Sequence, residues 1–204
     1  MANRRTMDLI CSFEGFHKVR RGEPGLAYPY PDAGYGWRVT TQGYGTTIHP
    51  ETSRKLRRDD PPIDKETALR WLQSDIERKY EPKVRALVKV PLSEDSMGAL
   101  ISFAYNCGPG ALARSTLLKR VNNRQWSGVP EAFERYKYSN GKVFAGLLRR
   151  RRAEAKQFME GLREPSEGDI TPPAVPPLPT RKPAVQPSSG FLRAITGWFT
   201  GFFR

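Results

Sequence analysis

Few side chains in this sequence are of a type that does chemistry. Histidine occurs only at His17 and His49, and cysteine only at Cys11 and Cys107. None of the usual zinc spacings is present, so no metal site is expected and no cofactor is implied. The same scarcity argues against a Ser-His-Asp nucleophile, with His17 left open. Neither standard phosphate-cradling glycine loop occurs. Carboxylates remain, and a carboxylate pair does glycoside hydrolysis: one group protonates the leaving oxygen and the other activates water. Glu14 is the first candidate, at the end of a short amphipathic segment and just before Gly15. The partial negative charge of a helix C-terminus disfavours an ionised carboxylate there. Partial burial by Phe13 and Phe16 would act in the same direction, and a general acid must hold its proton to donate it. Taken alone, Glu14 also reads as a solvent-facing helix glutamate.

These groups must be positioned by mostly helical elements. Met7, Ile10 and Phe13 stand at helical spacing over residues 6–13, and Gly15 ends that helix. Residues 24–47 are rich in Gly, Pro, Tyr and Thr, which predicts short strands joined by turns. Asp64 can cap a helix through Ala68, Leu69, Trp71, Leu72 and Ile76, continuing past Pro82 with a kink or break to Val88. Ser93 caps an apolar helix from Met97 to Tyr105, closed by Cys107-Gly-Pro-Gly. Leu117–Val121, Val129–Tyr136 and Phe144–Phe158 are further helical candidates, the last with a basic face at Arg149 to Arg152. The fold class expected is α+β, mainly α, with one small β segment near the N-terminus.

The run Phe13-Glu14-Gly15, then Ala27-Tyr28 and Asp32, then Thr41-Gln-Gly-Tyr-Gly-Thr46, resembles the phage-type lysozymes, the endolysin glycosidases. Ala99-Leu-Ile-Ser-Phe-Ala-Tyr-Asn-Cys-Gly looks like that family's buried helix. Ser115-Thr-Leu-Leu and Gly146-Leu-Leu-Arg-Arg-Arg-Arg-Ala-Glu-Ala look like its later helices. The resemblance covers residues 7–160. It implies a two-lobed lysozyme-like fold, with a small N-terminal β-hairpin lobe and a helical C-terminal lobe. It also implies an inverting N-acetylmuramidase that cuts the β-1,4 bond between N-acetylmuramic acid and N-acetylglucosamine in bacterial peptidoglycan. In that scheme Glu14 is the general acid, Asp32 the carboxylate that activates or steers water, and Thr41 the residue that orients it. Tyr44 and Asn106 would contact substrate, and Arg150 would pair with Glu14. Asp32 follows Glu14 by eighteen positions, where the family pattern is shorter. This leaves Glu23 as a less favoured second carboxylate and Thr40 in competition with Thr41. Of Tyr28, Tyr30, Tyr35 and Trp37, at least one should line the cleft.

The chain divides into a folded domain over 1–163, a proline-rich spacer over 164–188 and an apolar, aromatic tail over 189–204. The net charge is +13. Past residue 163, four basic side chains face three acidic ones, which leaves +12 on the domain. A domain so basic suits a polyanion such as the bacterial cell wall. No nucleic-acid motif accompanies the charge, so nucleic acid is not the expected partner. Phe191, Ile195, Trp198, Phe199 and Phe202 would share one helix face, which suits an anionic or outer-membrane surface. The alternative is docking onto the domain or self-association. Two cysteines cannot form a disulfide scaffold, so free thiols are expected. A monomer is expected, made in the host cytoplasm without a secretory signal and later released to the wall. Two other classes stay open: a non-catalytic wall binder, and a membrane-disrupting protein acting through its tail.

Overall fold

The computed structural model describes residues 3–16, 23, 25–32, 34–139 and 141–163. The spacer over 164–188 and the tail over 189–204 lie outside these residues, as do His17 and most of residues 20–25.

Helix α1, Arg4–Glu14, begins where the Asn3 side chain accepts the Thr6 amide at 2.9 Å. It ends because Gly15 turns to φ 68°, a conformation that costs glycine little. Three short strands follow: β1 (Leu26–Ala27), β2 (Tyr30–Asp32) and β3 (Gly36–Thr41). β2 and β3 form an antiparallel hairpin in the register Tyr30↔Thr41 and Pro31↔Thr40, with an irregularity between Pro31 and Asp32. Strand β4 (Ile63–Asp64) pairs with β1. Gln42 is fully buried and binds these pieces together, its Nε2 donating to Ala27 O at 3.0 Å and Pro61 O at 2.8 Å. Gly43 follows at φ 61°, where a Cβ would lie 2.8 Å from that of Ala68.

Asp64 caps α2 (Lys65–Asp75) through the Thr67 amide. A π-helical segment, Ile76–Tyr80, then carries the chain into α3 (Glu81–Leu87). The expected interruption near Pro82 is therefore a widened turn, with Pro82 in the first turn of α3, where its missing N–H is harmless. Helix α4 (Glu94–Cys107) is capped by Ser93 and buried from Asp95 to Ala104. It is the central rod of the helical lobe. Around it stand α5 (Pro109–Ala113), α6 (Thr116–Asn122), α7 (Val129–Glu134) and α8 (Ala145–Gly161). Phe103 of α4 meets Phe133 at 5.9 Å and Tyr136 at 4.7 Å, edge to face, and Phe133 meets Phe158 of α8 at 6.2 Å. This is the α+β, mainly α arrangement expected.

Strand β4, helix α5, a 3-10 turn at Trp126–Gly128 and a hairpin of β5 (Tyr138–Ser139) with β6 (Lys142–Val143) were not anticipated. The basic run is also corrected. Arg149 and Arg152 are turned outward, but Arg150 and Arg151 are buried on the inner face of α8, in line with Glu154, Ala155 and Phe158. Cys11 and Cys107 are free thiols. Burial pushes Cys11 up to about 11.

Candidate active site

The end of α1, the hairpin and the C-terminal end of α4 meet around a cleft of about 340 Å³. Glu14, Tyr30, Asp32, Thr41, Tyr105 and Asn106 line it, together with Gly45 and Tyr80. Each side chain is placed by its element. Gly15 stops α1 one residue after Glu14, so the carboxyl stands at the helix end with its side chain 24% exposed. Asp32 Oδ1 accepts the amides of Gly34 at 2.8 Å and Tyr35 at 2.9 Å, which fixes the turn. The other Asp32 oxygen has no protein partner among the described residues. Thr41 ends β3 opposite Tyr30. Its hydroxyl is buried and makes no hydrogen bond among the described residues. Strand alternation turns the neighbouring Thr40 to the other face, beside Trp37, Thr47 and Lys55. Glu23, the other carboxylate considered, is exposed, accepts a hydrogen bond from the Tyr28 hydroxyl and does not line this cleft.

Behind Glu14 lies a buried charge network. Arg150 donates through Nη1 to Glu14 Oε1 at 2.5 Å, through Nε to Glu154 Oε1 at 3.1 Å and through Nη2 to the Ser102 carbonyl at 3.3 Å. The same Glu154 oxygen accepts Ser102 Oγ at 2.8 Å and Arg151 Nη2 at 2.9 Å. Arg151 continues to Asn106 Oδ1 at 3.1 Å and Cys107 Sγ at 2.9 Å. The guanidiniums lie over rings as well, Arg150 over Phe13 and Arg151 over Phe103. Arg150, Glu154 and Arg151 thus link Glu14 at one side of the cleft to Asn106 at another. Burial pushes Glu154 above the usual carboxylate range, and the two arginines oppose that rise.

The sequence did not single out Glu154, Arg151 or Ser102. The signal was present, since Glu154 follows Arg150 by four residues on a stripe that continues to Phe158. Tyr44, expected to contact substrate, lies behind the cleft. It is 4% exposed, and its ring is 5.7 Å from that of Phe16. Only its carbonyl bears on the site, accepting the Tyr105 hydroxyl at 2.8 Å and so tying the hairpin lobe to α4.

Three phenols remain at the rim. Burial, reinforced by the charges of Glu14 and Asp32, pushes Tyr30 up to about 12, and burial raises Tyr80 and Tyr105 too. All three therefore stay neutral hydroxyls through the physiological range. With the amide nitrogen of Asn106, they suit a ligand rich in oxygen. Among the described residues no cluster of His, Cys, Asp and Glu could hold a metal ion.

This architecture, a hairpin lobe and a helical lobe meeting at a carboxylate-bearing cleft, is that of a lysozyme-like fold. The phage lysozyme family model matches residues 21–154, and the chain belongs to that family. Asp32, Thr41, Asn106 and Arg150 fall within the match, and Glu14 precedes it. An endolysin of Bacillus phage B103 is 34% identical over 156 residues, covering 76% of this chain and 52% of the relative. The chain thus spans about half the length of that relative. Among solved structures, the endolysin from Escherichia coli O157:H7 phage FAHEc1 matches with a TM-score of 0.65 at 29% identity, covering 78% of this chain and 94% of that one. The muramidase domain of SpmX from Asticaccaulis excentricus matches with a TM-score of 0.62 at 28% identity, over 78% of this chain and 97% of that one.

Proposed function

We propose that this chain is a peptidoglycan hydrolase of the endolysin type. It would cleave the β-1,4 bond between N-acetylmuramic acid and N-acetylglucosamine and so bring about bacterial lysis. The observation that carries the reading is the composition of the cleft: two carboxyl groups, each with one oxygen unengaged among the described residues, share it with a buried threonine hydroxyl that has no partner among them.

Glu14 donates its proton to the glycosidic oxygen as the bond to the anomeric carbon breaks. Arg150 holds one Glu14 oxygen and leaves the other for that proton. The ion pair strengthens as the carboxylate forms, so Arg150 acts on the developing charge more than on the resting acid. Asp32 takes a proton from water, and the water oxygen bonds to the anomeric carbon from the opposite face. The Thr41 hydroxyl positions that water, which accounts for a buried polar atom otherwise left unpaired. A cleft of about 340 Å³ has room for a water beside a sugar ring. The reaction inverts the anomeric centre. Asn106 and the three tyrosines bind the sugar hydroxyl and acetamido groups.

Reducing ends released from purified peptidoglycan test the activity, and proton NMR of the first product tests the stereochemistry. An α-anomer at the new end is expected; a β-anomer would contradict inversion. The tail over 189–204 is read as a membrane-surface segment. Deleting it should reduce binding to anionic vesicles while cleavage of purified peptidoglycan continues, and undiminished vesicle binding would refute that role.

A further inference from the structure

A second and larger groove, about 610 Å³, opens beside the cleft. Tyr30 lines both, so the two are joined across one ring. One wall is the segment Tyr28-Pro29-Tyr30-Pro31, part of the lengthened stretch between Glu14 and Asp32. The opposite wall carries Arg58 and runs to Pro62. Gln42 braces the walls against each other through Ala27 O and Pro61 O, and the pairing of β1 with β4 adds to this. The groove is therefore built in advance of any ligand, and its prolines have little freedom to lose on binding.

Among the described residues three groups in it have no hydrogen bond or ion pair: Trp37, Arg58 and the exposed Asp59 next to it. Trp37 is 45% exposed, an unusual position for a tryptophan in a basic, mainly polar surface. Arg58 lies over the Trp37 ring at 4.7 Å, which holds the indole upright. No carboxylate among the described residues pairs with Arg58: the nearby Asp60 is taken by the Arg54 guanidinium and the Arg57 amide. The indole face that Arg58 does not cover, beside a guanidinium with no carboxylate partner among the described residues, suits a sugar ring whose branch ends in a carboxylate.

We propose that this groove is an outer binding site for the peptidoglycan strand. The glycan would leave the cleft past Tyr30, pack a further sugar on Trp37 and Tyr28, and set a carboxylate branching from muramic acid against Arg58. The inference rests on the cleft reading given above and deepens it. It assigns a purpose to the lengthened segment: holding a polymer, whereas the cleft alone serves a short substrate.

The test uses the full chain as Glu14→Gln, so that substrate is bound without being cut. Binding to purified sacculi is compared with binding to the muramyl disaccharide, short enough to occupy the cleft alone. Trp37→Ala and Arg58→Glu should each weaken sacculus binding about tenfold and leave disaccharide binding unchanged. Arg58 is a surface residue, so its variant decides the matter if Trp37→Ala melts early. Equal sacculus binding by all three proteins overturns the groove, and so does a parallel loss on the disaccharide. Reducing-end release by the wild-type chain separates the two readings. If release is seen while the variants bind equally, the groove alone fails; if it is absent, the cleft reading fails and the groove with it.

Discussion

Glu154→Gln probes the charge network directly. Glu154 is fully buried, and its Oε1 accepts three hydrogen bonds, from Ser102 Oγ, Arg150 Nε and Arg151 Nη2. Glutamine keeps the volume and one acceptor oxygen but removes the charge. Arg150, 4% exposed, then keeps one carboxylate, Glu14, while Arg151, 0% exposed, keeps none among the described residues and holds only Asn106 and Cys107. Removing one partner of a buried ion pair costs about 3–5 kcal/mol. The retained acceptor places this variant at the lower end, about 3 kcal/mol. Each kcal/mol shifts the melting temperature of a domain this size by about 2–4 °C, so the loss expected is about 6–12 °C. Activity should fall as well, because Arg150 loses the anchor on Nε that aims Nη1 at Glu14. A misaligned acid costs about 10–100-fold in kcat/KM, measured well below the new melting point. Thermal unfolding and initial rates on peptidoglycan are the assays. A melting temperature within about 1 °C of the parent, with kcat/KM unchanged, would refute the account of the network.

Thr41→Val removes a hydroxyl that bonds to nothing among the described residues. Its stability should hold or rise, by about 1 kcal/mol at most, while activity drops about 10²-fold or more; a fall in stability with activity intact would contradict the water-holding role. Asp60 is held below the usual aspartate range by the Arg54 guanidinium first and by the Arg57 amide. A carboxylate with a lowered folded-state value adds stability above its unfolded value and loses it as pH falls through the folded one. Asp60→Asn should therefore cost about 1 kcal/mol at pH 7, with the gap to wild type closing below about pH 4. Urea unfolding at several pH values reads this, and a gap that widened on acidification would reverse the sign. Gly43→Ala would place a methyl 2.8 Å from the Ala68 Cβ at a positive φ. It should cost about 1–3 kcal/mol by thermal melting, and a neutral result would show that the turn relaxes freely.

Much of the frame was legible because its signals are local. Asp64 and Ser93 each cap the helix that follows, as their types suggest, and the apolar run from Met97 became the central helix. Helix α5 and the β5–β6 hairpin gave no such signal: five residues and two-residue strands are too short to show a period. Among site residues, Glu14 was marked by its place at a helix end and, with Asp32 and Thr41, by the family resemblance; folding brings all three to one cleft. The buried network was missed for a physical reason. A run of four arginines reads as a solvated face, and only packing against α4 shows that Arg150 and Arg151 turn inward to meet Ser102 and Glu154. Tyr44 was given as a substrate contact by the family resemblance alone, and its ring packs in the core against Phe16, which only folding shows.

The central claim is that Glu14 is the acid of a peptidoglycan-cleaving glycosidase. The most direct measurement is the rate of reducing-end release from purified peptidoglycan by wild type and by Glu14→Gln, with circular dichroism to confirm that the variant folds. The account predicts clear activity in the wild type and a loss of about 10²–10⁴-fold or more in a folded variant. Equal rates in the two proteins would contradict it and move the acid to another carboxylate.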